Sequence, residues 1–289
     1  MTATDERVII TEPGVYDGVP VEDYHRDPVV GGSLSCSGAK KLLPPSCPAI
    51  FRFEQDNPPE PTETFDVGHA AHKLALGVGP EIVVIDAPDW RTVAARDQRE
   101  AAHADGKVPL LRDTYAQVVA MADALRADPI ASLLLGDGGA AEQTLVWLDE
   151  PSGIMPRARL DWKPAARTGR TIGVDYKTAK CASPDEFAKS AANYGYDMQA
   201  AWYLDGMRAL GLAADDAAFV FIVQEKTAPY LVTVAQIDAP GLRIGRHLNR
   251  KAITTYARCA VDDCWPGYAD DVALISLPYW YERKFEDVI

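Results

Sequence analysis

Cysteine, positive charge and long apolar runs are all scarce in this chain of 289 residues. Its five cysteines (Cys36, Cys47, Cys181, Cys259 and Cys264) are odd in number and sparse for this length, which argues against a disulfide framework and for reduced, mostly packed thiols. No apolar run approaches the ~20 residues that a membrane-crossing helix requires. The opening MTATDERVII carries no basic stretch followed by an apolar one. Neither a leader nor a membrane partner is expected, and a cytoplasmic protein is. Lysine and arginine number 29 against 42 aspartates and glutamates, for a net charge of -13. A surface that is basic throughout is thereby excluded, and any nucleic-acid site must be local.

What is present has a clear order. Prolines recur from Pro13 to Pro61 and leave room only for short helices, read at 37–43 and 49–54. Residues 1–64 are expected to form an extension packed on a core domain of residues 65–289. The segment FDVGHAAHKLAL (65–76) has helical spacing and a small-residue face, with Gly68 expected to let the helix lie close to its neighbour and Asp66 suited to its amino-terminal end. Residues 86–136 read as helical, most clearly at 113–126. The period then changes to two, and 141–149, 155–162 and 171–178 read as successive antiparallel strands. Helices at 184–192 and 197–210, strands at 217–223 and 230–235, and a helix at 242–258 complete the chain. This order predicts an α/β fold, a mixed central sheet flanked by helices, with the proline-rich extension added.

The chemistry concentrates on two of those strands. Asp175 and Lys177 are two residues apart and share a face, and Asp161 on the preceding strand can meet them there. Two crowded carboxylates repel, and a hard cation such as Mg²⁺ relieves this by taking oxygens from both while keeping waters. Lys177 would then stand beside a metal-bound water and offset charge on a phosphoryl transition state. The same spacing also suits exposed strand carboxylates with Lys177 as their surface partner, and spacing alone does not decide between the two. Arg157 and Arg159 share the face of Asp161, to contact phosphate or to neutralise the carboxylates. Glu142 reads as a surface residue, with an accessory carboxylate role as the alternative.

RARLDW followed by DYK and then YGYDMQAAWY resembles the PD-(D/E)XK nucleases of the RecB and RecE kind, most closely the exonuclease VIII-like phage recombination nucleases. Gly68-His69-Ala70-Ala71-His72 matches the G-x-x-x-H helix ahead of the core in that group. Gln199 and Tyr203 match its Q-x-x-x-Y element, and SLSCSGAKKLLPPSCPAIFRFE is similar to its opening segment. The resemblance spans residues 20 to 240 and implies a restriction-endonuclease-like fold. Asp161, Asp175 and Lys177 become the expected catalytic residues, with His72, Asp161 and Asp175 holding Mg²⁺, or Mn²⁺ in its place. Gln199 and Tyr203, i and i+4 on one helix, are expected to reach DNA backbone or Lys177, with core packing the alternative for Tyr203.

The activity so implied is an exodeoxyribonuclease that degrades linear double-stranded DNA from its ends, 5′ to 3′, and passes single strand to a RecT-type annealing protein. A ring of identical subunits would suit it. A non-catalytic DNA-binding module on the same fold and a restriction-type endonuclease are the alternatives. Relatives with an iron-sulfur cluster use one upstream and three closely spaced downstream cysteines; only Cys259 and Cys264 lie downstream here, so no cluster is expected. His69 and His72 have zinc-like H-x-x-H spacing without a third nitrogen or sulfur ligand nearby, and zinc is not expected. Residues 157–180 hold seven basic residues against Asp161 and Asp175, including Arg167 and Arg170 in the connecting loop, and are expected to form the basic patch that accepts DNA.

Overall fold

Alternation of apolar side chains builds a sheet that is covered on both faces. The computed structural model describes residues 7–57, 63–165 and 169–286. Among these the elements run β1 (Gly14–Tyr16), α1 (Val21–His25), β2 (Ser33–Ser35), α2 (Cys36–Lys41), α3 (Pro48–Asp56), α4 (Glu63–Leu76), β3 (Ile82–Ile85), α5 (Val93–Ala104), β4 (Val108–Leu111), α6 (Arg112–Ala127) and α7 (Pro129–Leu134). They continue as β5 (Ala140–Val146), β6 (Met155–Lys163), β7 (Ile172–Ala179), α8 (Pro184–Tyr194), α9 (Tyr196–Ala209), β8 (Ala218–Glu225), β9 (Val232–Gln236), α10 (Ala239–Asp262) and α11 (Tyr279–Glu282).

The main sheet of the described residues has the order β1-β5-β6-β7-β8-β9, with β2 also beside β6. Neighbours β5, β6 and β7 are antiparallel, β7 and β8 are parallel, and β8 and β9 are antiparallel. It is the mixed α/β sheet expected. In β8, Phe219, Phe221 and Val223 pack on one face with Trp147, Trp202 and Leu204, while Ile222 packs on the other with Met121, Val118 and Tyr176. A strand buried on both faces reads as a continuous apolar run, as AFVFIV does.

One feature of the register controls everything near the centre. Trp162 pairs with Val174, but the earlier part of β6 does not continue along β7. There it pairs instead with β2, Ser33 to Met155 through Ser35 to Arg157, in parallel. The sheet therefore forks between β6 and β7, and the gap lies beside Asp161.

Three expectations need correction. Residues 86–136 are not helical throughout: IVVI (β3) and VPLL (β4) form a separate parallel pair, and runs that short carry too few residues to show their period. The first 64 residues are not merely helical turns, because β1 pairs with β5 and β2 with β6. Gly68 does not bring α4 close to a neighbour, since a Cβ built there meets nothing within 4 Å. The close approach belongs to Gly245, where α10 crosses α9 and a Cβ would stand 2.2 Å from the backbone oxygen of Asp197. Beside it, Asn249 Nδ2 donates to Met198 O at 2.9 Å.

These two glycines give opposite expectations. Gly245→Ala should lower unfolding free energy by about 2 kcal/mol or more, because the obstacle is backbone and cannot rotate away. Gly68→Ala should leave it unchanged or raise it by about 0.5–1 kcal/mol through helix propensity. Urea unfolding of both variants checks the pair, and a destabilised Gly68→Ala would contradict the open space at α4.

Candidate active site

The fork leaves backbone groups without their ladder partners, and side chains take them up. Asp161 Oδ2 accepts from Tyr176 N at 3.0 Å, and His72 Nε2 donates to Tyr176 O at 2.9 Å. On the other prong, Trp202 Nε1 donates to Arg157 O at 2.9 Å and Tyr203 Oη to Arg159 O at 2.8 Å. Unpaired buried backbone groups are costly, so these four side chains are held where the fork needs them.

One step from the Trp162–Val174 pair, Asp161 comes level with Asp175 on the same face. Asp175 is 3% exposed. Its Oδ1 accepts from Gln199 Nε2 at 2.5 Å, and its Oδ2 lies 2.7 Å from Lys177 Nζ. Apart from that ion pair, Oδ2 is buried with no other donor among the described residues. Asp161 is pushed up to about 6, first by burial and then by the Asp175 carboxylate, against the pull of His72 and Lys177. Burial alone would lower Lys177, but Asp175 and Asp161 outweigh it and hold the ammonium firmly charged. Lys177 is therefore a fixed cation and not a resting base.

A divalent cation fits this donor set. A carbonyl can only accept, so His72 Nε2 carries the proton in the bond to Tyr176 O, and the Nδ1 of a neutral ring offers a lone pair 3.7 Å from Asp161 Oδ2. With Asp175 Oδ2, which has the Lys177 ammonium as its one described partner, carboxylate oxygens converge that a hard cation would relieve. Among the described residues no group of three or more His, Cys, Asp and Glu side chains is assembled as a metal cage. The fit is to an ion that keeps waters.

These residues open on a cleft of about 1030 Å³. His72, Asp161, Lys177, Gln199 and Tyr203 all line it, as does Arg159. Gln199 does not meet Lys177; it orients Asp175, a correction that follows from the amide facing the buried carboxylate across α9 and β7. Tyr203 is 8% exposed, and its hydroxyl is spent on the β6 backbone.

The basic residues divide. Arg157, expected to contact phosphate or to neutralise the carboxylates, is instead buried: Nη1 donates to Ser33 O at 3.0 Å and Oγ at 2.6 Å and lies 3.1 Å from Asp27, tying the extension to β6. Arg159 donates to Val19 O at 2.8 Å and pairs with Glu142 at 2.5 Å. Glu142 is thus not a surface residue but part of the cleft, held at a left-handed φ of 50° that is unusual for a residue with a side chain. Arg170 is at the opposite end of β7 from Lys177 and donates to Gln236 on β9 at 3.2 Å, away from the cleft. Arg167 lies outside the described residues. Among the described residues the positive charge of 157–180 is consequently not one patch, because Arg157 is taken up by the extension, Arg159 by Val19 and Glu142, and Arg170 by β9 at the other end of β7.

Several cleft residues had no clear sequence signal. The extension contributes Tyr24, His25, Cys36 and Lys40, and α5 contributes His103. Burial pushes the Cys36 thiol up to about 11, which removes it as a nucleophile. Tyr196 lies beneath two ammoniums, Lys40 Nζ at 5.5 Å and Lys177 Nζ at 5.3 Å from its centroid. His103 Nε2 contacts Asp66 Oδ1 at 3.0 Å, so the carboxylate expected to serve the α4 terminus is used across the cleft.

The raised Asp161 has a consequence for metal-free protein. Its folded value near 6 exceeds the ordinary 3.8, so stability is fully present below about 4 and falls as pH rises through 6. Asp161→Asn keeps an acceptor for Tyr176 N without the charge. In chelator, the variant should match the wild type at pH 4 and exceed it by on the order of 2 kcal/mol at pH 8. Equal stability at both pH values would show that Asp161 is not strained by its surroundings.

Comparison with known proteins agrees with this geometry. No curated protein sequence matches the chain. The chain resembles the crystal structure of a protein from Eubacterium rectale described as a candidate exonuclease, with 12% identity and a TM-score of 0.56, over 92% of this chain and 96% of that one. At that identity the likeness concerns the fold. A second solved structure, SSO0001, overlaps at 18% identity and a TM-score of 0.28, over 66% of this chain and 84% of that one, too poorly to inform the fold. Residues 35–278 match the model of the PDDEXK-like domain of unknown function DUF3799, a span that holds the forked strands, Asp161, Asp175 and Lys177 alike, and the chain belongs to that family.

Proposed function

We propose that the protein is a Mg²⁺-dependent deoxyribonuclease that degrades linear duplex DNA from its ends. The observation that carries this reading is the meeting of Asp161, Asp175 and a firmly protonated Lys177 at the fork, with Asp161 and Lys177 on the wall of a cleft of about 1030 Å³ and Asp175 buried behind them. Polarity of 5′ to 3′ and delivery of single strand to an annealing partner rest on the resemblance to exonuclease VIII-like nucleases. The likeness in fold to the E. rectale protein supports the exonuclease class.

Asp161 and Asp175 would hold the cation, with His72 at its edge. When bound, such an ion neutralises phosphoryl oxygens and acidifies a coordinated water. The chain's own residues do the rest. Gln199 fixes one oxygen of Asp175, and the other faces the Lys177 ammonium. Lys177, packed on Tyr196 and paired with Asp175, presents its charge where negative charge grows as the phosphate is attacked. Because that charge is already oriented, no reorganisation accompanies the reaction.

A second reading has one observation in its favour: Gln199 and Lys177 engage both Asp175 oxygens, as in a domain that binds DNA without a metal. Incubation with linear and covalently closed circular duplex, with and without Mg²⁺, separates the possibilities. Loss of linear DNA alone, and only with Mg²⁺, is expected. Cutting of the circle would indicate an endonuclease, and binding without cleavage a non-catalytic module. Asp175→Ala should lower the single-turnover rate by about 10²–10³ or more, and Lys177→Ala by about 10², while affinity changes by no more than about threefold. Native turnover with weak affinity in Lys177→Ala would assign the lysine to binding.

A further inference from the structure

Adjoining the main cleft at Lys177 and Tyr196 lies a second recess of about 280 Å³. It shares Lys177, Tyr194 and Tyr196 with the cleft, so the two adjoin at the catalytic lysine. Lys180 and Lys226 line it together with Ser190. Its one lining carboxylate, Glu186, is turned to Lys189 at 2.5 Å. Neither Lys180 nor Lys226 has a carboxylate within ion-pair distance among the described residues. In a chain of net charge -13, cations left unpaired at the same recess stand out.

We infer that this recess is a phosphate subsite, in which Lys180 and Lys226 hold a phosphate next to the one being cleaved. The inference rests on the nuclease reading. Chain geometry brings the cations together: Lys180 follows the end of β7, Lys226 follows β8, and the two strands run in parallel, with Lys226 N donating to Ala179 O at 3.1 Å. The recess is too small for duplex. It suits one nucleotide, with Ser190 lining it beside the two lysines. The phosphate there comes either from the strand that continues past the active site or from a released nucleoside monophosphate.

The test uses full-length protein in the Asp161→Asn background, which should lack turnover, with Mg²⁺ and a 20-base-pair duplex. Lys180→Ala/Lys226→Ala should weaken binding at least about fivefold at low salt and reduce the slope of log Kd against log salt by about 1.8, as loss of two phosphate contacts predicts. Lys251→Ala, an exposed cation on α10, should leave the slope within error. If the substrate strand occupies the recess, the slope changes as stated. If the released nucleotide does, deoxynucleoside monophosphate inhibition of the active enzyme weakens in the double variant while the duplex slope holds. An unchanged slope together with unchanged inhibition overturns the inference, as does an equal effect of Lys251→Ala. Failure of the background protein to bind duplex at all would instead count against the nuclease reading.

Discussion

The fork between β6 and β7 is the constraint on which the rest of this structure depends. A continuous ladder would bury the groups of Tyr176, Arg157 and Arg159 in strand pairing and leave no gap. Because β2 replaces β7 along the first half of β6, those groups must find other partners, and they find Asp161, His72, Trp202 and Tyr203. Each of these side chains is fixed by a backbone bond before any substrate arrives. The site is thus rigid because the sheet is broken there, and the break is tolerated because the site repairs it.

The amino-terminal segment belongs to that same device. It supplies β2, and the buried guanidinium of Arg157 fastens it through Ser33 and Asp27. Tyr24 carries Arg157 and Arg159 against its ring, at 5.3 Å and 5.6 Å. Its phenol is pushed up to about 12, chiefly by burial, and stays neutral. The segment then turns into α2 and brings Cys36 and Lys40 to the cleft. Two arginines on the strand face of Asp161 are therefore spent on assembling the site, and the positive charge left facing it is mostly lysine.

Electrostatics at the centre is a balance held by burial. Asp161 and Asp175 crowd each other, Lys177 offsets both, and low access to water strengthens every one of these interactions. Lys40 shares the ring of Tyr196 with Lys177, pushed below the usual lysine range chiefly by burial and also by Lys177, with Cys36 opposing. Such a cluster is unfavourable to the fold when empty of counter-charge and favourable to a ligand that supplies it. That is the physical link between the strained carboxylates and the function proposed.

Much of this was legible in the residues alone. Period-two alternation marked β5, β6 and β7, and alternation on β7 put Asp175 and Lys177 on one face, because strand side chains reverse at every residue whatever surrounds them. The helical spacing of 65–76 and 197–210 placed His72, Gln199 and Tyr203 on the right elements for the same local reason. What those side chains touch was decided elsewhere. Arg157 and Arg159 have the same alternation as Asp161, yet one is buried under the extension and the other pairs with Glu142, since β2 lies against that part of β6. Gln199 meets Asp175, and Lys40 and Lys177 share the ring of Tyr196, only because α2, α9 and β7 come together in space. Sequence determined the elements and the faces of their side chains, which depend on neighbours two to four residues away; the fork, the partners and the cleft depend on contacts between residues from 15 to 140 positions apart, and only the tertiary structure could set them.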